Sequence, residues 1–574
     1  MIHIIWNEER AQSIWRQGRD VYAAYWFEML RQAGLSHKKW SSSEWLKKKP
    51  AGVTILVSEL EPVADWPEVF RAYCEEGNAL LAVGASYGLD GLLGIKTVKT
   101  VKEGFIGWEG AELASGLRSS FHFFGGVLVK PLDGVQAFGK IQLRTGAVTE
   151  HPALTLKENG SGVAALIAAD LARTFQLIQQ GVPVLKDGVP AEDGTGAINE
   201  DILKTDDGCV LDWKLDRETA GGEKPYFIHP VVDEFRIFLI RLLHRLHQAA
   251  SQKLAQVWFW PKGLEAIGHI SHDTDGNSPE AASMMISRLE EADVRTTWCV
   301  IMPGYPDEIY KRVIEGGHEI ALHYNALETE GQYWDEELFN KQLEMLKSQM
   351  ARLGHEAPIL TNKNHYLRWE GDVQFYKWCE RAGIAMEQSK GGTKQGNKGF
   401  LAGTCHPYLP ASDPSEHNRL MNVYNCPTLA WDPPVPLRCT LPEAKALLDR
   451  SKEVYGVAHF LYHPATFKLY AEVGPGFVEL IRYGKEQGLE WWTSVELYEW
   501  LELRRGIQAE IQGGRLVVTA EKACNGVTVL LPGDAAVAAG AEAVRSVNRV
   551  KRYGMDMAEL ILDLPQGETV IPLQ

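Results

Sequence analysis

The sequence predicts an α/β protein in three parts: an α/β sheet domain over residues 1–240, a distorted parallel (β/α) barrel over 255–505, and a small all-β, sandwich-like domain over 506–574. Three observations carry this expectation. A chain of 574 residues is too long to fold around one hydrophobic core. Between about 255 and 505 short apolar runs alternate regularly with amphipathic segments, the pattern of repeated strand-helix units. After Arg505 the helical periodicity stops and short β-branched runs separated by Gly and Asn take over.

In the first part, IHIIW (2–6) precedes the helix-like RDVYAAYWFEMLRQAG, VTILV (53–57) precedes DWPEVFRAYCEEGN, and ALLAVGA (79–85) follows. GGVLVKPL (125–132) and GVAALIAADLARTFQLIQQG (162–181) continue the series. Strand, helix and strand in this order imply parallel pairing. The segment EEGNALLAVGASYGL resembles the sheet core of glutamine-amidotransferase-like, flavodoxin-like domains, but Gly84 to Leu89 holds no nucleophile elbow of the GxCxG type. A non-catalytic accessory domain is therefore expected. The stretch 185–227, rich in Gly, Asp and Glu, reads as a connection. HPVVDEFRIFLIRLLHRLHQAAS (229–251) reads as a bridging helix with Phe235, Phe238, Leu239 and Leu242 at helical spacing.

The barrel series opens with AIGHIS (266–271), followed by the helix PEAASMMISRLEEADV and the strand TTWCVIM (296–302). PDEIYKRVIEGG begins with a proline and ends in glycines, which are helix start and stop signals. HEIALH (318–323), the helix WDEELFNKQLEMLKSQMARLG, APILTNKNH, GDVQFYKWCERAGI, AMEQS, PEAKALLDRSKEVYG, VAHFLYHP (457–464) and VGPGFVELIRYGKEQG complete it. AEIQGGRLVVTAE, GVTVLLPG and ETVIPL supply the terminal β-strands.

Composition excludes some functions. The chain is 45% hydrophobic and 10% aromatic, and no apolar run reaches the roughly 18 residues of a membrane span. Its N-terminal stretch is charged too early for a secretory signal, so a cytoplasmic protein is expected. A net charge of −16 argues against a nucleic-acid partner, which rests on clustered Lys and Arg. The eight cysteines form no CxxC pair and are expected as reduced, buried thiols.

Functional groups of a parallel barrel sit where its strands end. Asp273 and Asp275 follow AIGHIS, His323 ends HEIALH, His365 ends PILTNKNH and His463 ends VAHFLYH. Each alone has an ordinary explanation: Asp-x-Asp-Gly after a strand is commonly turn chemistry, and a single strand-end His is commonly structural. Four strands delivering such residues to one edge points instead to a divalent cation site, which needs three or four N or O ligands with one position open.

HDTDG, ADVRTTWCV and EGGHEIALH, in that order, resemble the polysaccharide deacetylase family, carbohydrate esterase family 4, whose members open with TFDDG or a DxD variant and continue with GHEIGxH. RAGI, GFLAGTCHPYLP (399–410) and FLYHP (460–464) also match, so the resemblance covers about 255–505. It implies a deacetylase barrel in which Asp273 is the general base, Asp275 and His323 are metal ligands, and His463 is the general acid. Backbone amides near Tyr324 would join in holding the oxyanion. The metal implied is Zn²⁺, with Co²⁺ or Ni²⁺ also suited.

The match departs at one position. The family carries HxxxH, whereas the residue four after His323 is Leu327. NKNHYLRW (362–369) stands where the family's arginine motif is found and resembles a divergent branch reading RxHYLRW. His365 is therefore expected to complete the ligand set, the alternatives being that His365 or Arg368 only orients Asp273, or that no metal binds. Asn325, Arg368 and His406 are expected substrate contacts, and Tyr324, Tyr366 and Trp369 an aromatic platform for a sugar ring.

The function expected is removal of an acetyl or other acyl group from an N-acetylated sugar, with a carbohydrate or N-acylated small molecule as partner. The flanking domains would narrow the barrel mouth or mediate homo-oligomerisation. The rival is a non-catalytic glycan-binding or scaffold protein, favoured by Leu327. A glycosidase is disfavoured because its two carboxyls must flank the bond, about 5 to 10 Å apart.

Overall fold

The computed structural model describes residues 1–196, 202–394, 396–435, 437–537 and 542–573. In the expected connection 185–227, positions 197–201 lie outside the described residues.

Among the described residues, ten strands precede the bridging helix: β1 (Ile2–Trp6), β2 (His37–Ser41), β3 (Val53–Leu56), β4 (Ala79–Val83), β5 (Ile95–Gly107), β6 (Phe123–Pro131), β7 (Gln136–Phe138), β8 (Lys140–Leu143), β9 (Leu154–Asn159) and β10 (Gly162–Ile167). One sheet runs β2-β1-β3-β4-β10-β9-β7. Its first five strands are parallel, because a helix separates each pair along the chain, and IHIIW, VTIL and ALLAV are buried on both faces as such strands require.

GGVLVKPL departs from the parallel expectation. It lies in β6, which pairs antiparallel with β5 in a separate sheet β6-β5-β8. The chain between β5 and β6 holds only the single 3₁₀ turn Glu112–Ala114, too little for the crossover that parallel neighbours need.

The helix Val231–Ala249 bridges the parts, but it is buried almost all round through Leu243 and not along one stripe alone. Its buried carboxylates explain how. Asp233 accepts from Thr404 Oγ1 (2.6 Å) and Cys405 N (2.9 Å) in the barrel region. Glu234 accepts from Arg118 N and Ser119 N, both at 2.7 Å, on the other side.

After β11 (Gln256–Val257), the barrel strands are β12 (Ile267–Asp273), β13 (Thr297–Ile301), β14 (Glu319–Tyr324), β15 (Thr361–Asn364), β16 (Met386–Glu387), β17 (Tyr424–Asn425), β18 (Ala430–Trp431), β19 (Val457–Tyr462) and β20 (Glu490–Trp491). They form one parallel sheet, β17-β16-β15-β14-β13-β12-β19-β18, with β20 paired to the start of β12. Asn425 and Ala430 end its two edges and lie five positions apart in the chain, so the edges sit within about 18 Å. The sheet is thus rolled but open, a curled half-barrel, with no ladder between β17 and β18 among the described residues.

The expected connection does more than connect. Leu203 O accepts from Trp369 N (3.0 Å), Thr205 Oγ1 donates to Gly391 O (2.8 Å), and Asp206 accepts from Thr393 N (3.0 Å) and Asn397 Nδ2 (2.6 Å). Residues 203–206 therefore lie along the loops that follow β15 and β16.

The terminal strands β21 (Ile507–Gln512), β22 (Arg515–Ala520), β23 (Cys524–Pro532), β24 (Val544–Arg552), β25 (Met555–Leu564) and β26 (Gly567–Pro572) form two antiparallel sheets, β21-β22-β26 and β11-β23-β25-β24. Ala509, Leu516, Val518, Val529, Leu560 and Leu562 alternate inward to a shared core. Seven of the eight thiols are buried and all are free. Among the described residues no helix is long and apolar enough to cross a membrane.

Candidate metal centre

In β12 the alternation of a strand puts His269, Ser271 and Asp273 on one face. At its end the turn is tied locally by other residues: Thr274 Oγ1 donates to Asn277 Oδ1 (2.9 Å) and accepts from Ile301 N (3.1 Å), and Asn277 Nδ2 donates to Ile301 O (2.9 Å). Asn277 adopts φ 45° and Gly276 φ 71°. With the turn held by Thr274 and Asn277, neither aspartate is spent on local amides. Asp273 is 3% exposed and its Oδ1 is buried without a hydrogen-bond partner among the described residues.

Asp275 reaches across to histidines from three other strand ends. His323 Nε2 lies 3.2 Å from its Oδ1; His365 Nε2 and His463 Nε2 lie 3.5 and 3.6 Å from its Oδ2. His323 Nε2 is also 3.8 Å from Asp273 Oδ2. One ligand atom from each of Asp275, His323 and His365 lies within 4.8 Å of the others.

Both imidazoles have their second nitrogen committed. His323 Nδ1 donates to Lys363 O (2.9 Å) and His365 Nδ1 donates to Asn325 Oδ1 (3.1 Å). Each Nε2 is thereby left facing Asp275, the arrangement in which an outer acceptor fixes the tautomer of a metal-binding histidine. Two imidazoles and a carboxylate suit Zn²⁺ or a similar divalent ion, so the donor set fits the metal that the sequence resemblance implies. Burial would raise the Asp275 carboxyl, but hydrogen bonds from His323 and His365 and the charges of His323 and His463 hold it far below the usual carboxylate range. Burial works against a proton on His323, yet Asp273 and Asp275 raise its pKa above the ordinary imidazole value.

His463 ends β19. Its Nδ1 donates to Asp432 Oδ2 (2.7 Å) and its backbone N to Asp432 Oδ1 (2.8 Å). Asp432 is fully buried, directly follows β18 at φ 49°, and is also bonded by Thr466 Oγ1 (3.0 Å) and Arg438. Burial lowers the His463 pKa, but the Asp432 charge outweighs it and pushes the imidazole up to about 9. Sequence reading passed over Asp432; the available signal was a carboxylate immediately after the short apolar run of β18.

The remaining expected site residues fall into two groups. Asn325 is close, but as an orienting group: Oδ1 accepts from His365, Nδ2 donates to Glu330 (2.7 Å), and its backbone is gripped by Gln342 on both sides. Arg368 makes no contact with Asp273 among the described residues. It binds Glu370 Oε1 through Nε (3.0 Å) and the Ala326 carbonyl through NH1, holding two loops together. Leu327 is buried and its N–H donates to Asn325 Oδ1 (3.2 Å), so its loop serves the cluster through Asn325.

Three residues are not brought to the cluster. Tyr324 is 1% exposed, donates to Asp335 O (2.9 Å) and packs on Phe339 and Phe375. Trp369, also 1% exposed, packs against Phe375 and Tyr376. Their large apolar rings find the core beneath the loops, so neither is a platform. His406 donates from Nε2 to Val454 O (2.9 Å), ahead of β19, while His463 follows that strand. At about 3.3 Å per residue the two histidines sit at opposite ends, roughly 20 Å apart. The exposed ring beside the cluster is Tyr366, 41% exposed and 4.7 Å between centroids from His365. Tyr366 and Leu367 both take left-handed conformations (φ 61° and 51°), which for side chains of this size carry strain of order 1–3 kcal/mol each.

No protein-family model matches the chain, and no curated protein matches it. Among solved structures, Agd3, described as a novel carbohydrate deacetylase, aligns over 100% of this chain and 98% of its own at 9% identity, with a TM-score of 0.42. A protein described as a polysaccharide deacetylase from Mycobacterium smegmatis aligns over 41% of this chain and 94% of its own at 16% identity, TM-score 0.27. A β-galactosidase from Rahnella sp. R3 aligns over 29% of this chain and 28% of its own at 18% identity, TM-score 0.24. Likenesses this loose leave the functional reading to the geometry of the cluster itself.

Proposed function

We propose that this protein is a metal-dependent hydrolase that removes an acyl group, most simply acetyl, from the nitrogen of an acylated sugar. The observation that supports it is the convergence of Asp275, His323 and His365 within one ligand sphere, flanked by an unpartnered carboxylate oxygen on Asp273 and an Asp-backed imidazole on His463.

Asp275, His323 and His365 would hold the divalent cation. Bound there, it supplies Lewis-acid polarisation of the amide carbonyl and acidification of water. The protein's own groups do the rest. Asp273 Oδ1 is buried and free, so it accepts the proton of the attacking water. His463 has Nδ1 tied to Asp432, which leaves Nε2 turned to the site to protonate the departing amine. Asp432 offsets the charge on His463 throughout. Tyr366, 41% exposed with the Lys204 ammonium 5.3 Å from its ring centre, stands beside the cluster where a pyranose ring can contact it.

The test is to purify the protein, load it with Zn²⁺ or Co²⁺, and measure acetate released from N-acetylglucosamine oligomers. Acetate release by the loaded wild type, together with lost metal stoichiometry and turnover in His365→Ala, supports the reading. Stoichiometric metal with oligomer binding and no acetate would favour the glycan-binding alternative that Leu327 suggests. Unchanged metal content and turnover in His365→Ala would remove His365 from the ligand set.

A further inference from the structure

Asp432, the carboxylate behind His463, carries a second cation. It is fully buried directly after β18, and each of its oxygens takes two hydrogen bonds. Oδ1 accepts from His463 N (2.8 Å) and Thr466 Oγ1 (3.0 Å), and Oδ2 accepts from His463 Nδ1 (2.7 Å) and from Arg438 NH1. Arg438 reaches it from the same loop. Val435 N donates to Asp432 O (2.8 Å) and Arg438 N to Val435 O (2.9 Å), so two successive turns fold the chain back and bring the guanidinium to the carboxylate.

The shape of the pair does not need Arg438. Oδ1 is already fixed by His463 N and Thr466, and the loop is already closed by its turns and by Lys398 Nζ, which donates to Arg438 O (3.3 Å). The guanidinium, 33% exposed, makes no other hydrogen bond or ion pair among the described residues. No other Lys or Arg among them lies within ion-pair distance of Asp432. What Arg438 adds is charge. Burial pushes the Asp432 carboxyl up, while the charges of His463 and Arg438 hold it below the usual carboxylate range.

Those two charges differ in kind, because a guanidinium keeps its proton and an imidazolium acting as an acid does not. When the C–N bond of the substrate breaks, its electron pair stays on nitrogen and the Nε2 proton of His463 goes to that nitrogen, leaving a neutral imidazole. Without Arg438, Asp432 would then be a buried carboxylate with no counter-charge, which is strongly unfavourable and holds the proton back on His463.

We propose that Arg438 is a positioning residue of the acid, the standing counter-charge that keeps Asp432 ionised and in place while His463 gives its proton to the departing amine. The inference rests on the deacetylase reading above. It divides the work of the pair: Asp432 keeps a proton on His463 before the step, and Arg438 lets that proton leave.

The test compares two leaving groups in the metal-loaded enzyme. The amine of an N-acetylglucosamine oligomer must be protonated to depart, whereas the phenolate of para-nitrophenyl acetate departs without a proton. Arg438→Gln keeps an N–H donor toward Asp432 and removes the charge. Its loss of kcat should be at least about tenfold larger on the amide than on the ester, a part of the roughly 10²- to 10⁴-fold that general acid catalysis supplies. Arg438→Lys restores the charge and should recover most of the amide turnover. Arg438→Ala, assisted by added guanidinium ion, keeps the test valid if the Gln variant folds poorly.

A second readout needs neither metal nor turnover. In protein carrying isotope-labelled histidine, the Nδ1 proton of His463 should move to lower field in Arg438→Gln, because Asp432 then concentrates its charge on that bond. The proposal is overturned if amide and ester suffer equally, if neither Lys nor guanidinium restores amide turnover, or if the His463 proton does not move. No acetate from the wild type on either substrate fails the deacetylase reading and takes this inference with it. Normal wild-type turnover with an unaltered Arg438→Gln overturns this inference alone.

Discussion

His365 Nδ1 lies 3.1 Å from Asn325 Oδ1, and this contact decides which nitrogen of His365 faces Asp275. Asn325 has no freedom to turn its amide away. Its Nδ2 is held by Glu330 and its Oδ1 also receives the Leu327 N–H.

Asn325→Ala is therefore expected to weaken Zn²⁺ or Co²⁺ binding by about 10- to 100-fold, the usual cost of losing an outer acceptor on a ligating histidine. Asn325→Asp keeps the acceptor toward His365 but sets a carboxylate against Glu330, so Asn325→Asp combined with Glu330→Gln should restore most of that affinity. Titration of the metal-free protein, followed by calorimetry or by Co²⁺ absorbance, checks both. Equal affinity in Asn325→Ala and wild type would show that His365 needs no such support.

Asp432 acts through His463, so its removal should be felt in turnover more than in substrate binding. Asp432→Asn keeps one acceptor oxygen, replaces the other with an amide NH2, and removes the charge that supports the imidazolium. A fall in kcat of about 100-fold, in the range of general acid catalysis, is expected with KM nearly unchanged. Steady-state acetate release measures the split. A parallel loss in KM and thermal stability would instead mark Asp432 as a purely structural group.

The third prediction concerns stability. His122, immediately before β6, is fully buried, with Nδ1 2.7 Å from Asp216 Oδ2 and Nε2 3.1 Å from Glu103 Oε1. Burial opposes its charge, but these two carboxylates outweigh that and push its pKa up to about 9, against an ordinary value of 6.5. A raised folded-state pKa means that the stabilisation is complete below about 6.5 and is lost as pH rises through about 9. It amounts to something on the order of 3 kcal/mol. The wild-type Tm should fall across this window, whereas that of His122→Gln should start lower and stay nearly flat. Parallel curves for the two proteins would rule out a charged His122.

Much of the barrel was legible because its signals are local. Apolar runs of four to seven residues between capped amphipathic helices predict β12, β13, β14 and β19, and Asp273, Asp275, His323 and His463 stand at or just past strand ends in the primary sequence. The antiparallel β5–β6 ribbon was not legible as such, since GGVLVKPL has the same apolar run whether its neighbour is parallel or antiparallel. His406 was misplaced for a related reason: GTCHPYLP lies in an irregular stretch, and nothing local says which end of β19 it meets. Tyr324 and Trp369 show the limit of residue type, because a large aromatic side chain suits a core and a sugar platform equally well.

By itself, then, the sequence determined the kinds of groups available and the strand ends that carry them, because strand periodicity and turn chemistry are written over a few neighbouring residues. Only the tertiary structure decided which of those groups meet. Asn325 and His365 are 40 positions apart, as are His323 and the Lys363 carbonyl, and Asp432 and His463 are 31 apart. Each pair comes together because parallel strands align their ends on one edge, and it is the curl of the sheet that turns those ends toward a common point at Asp275.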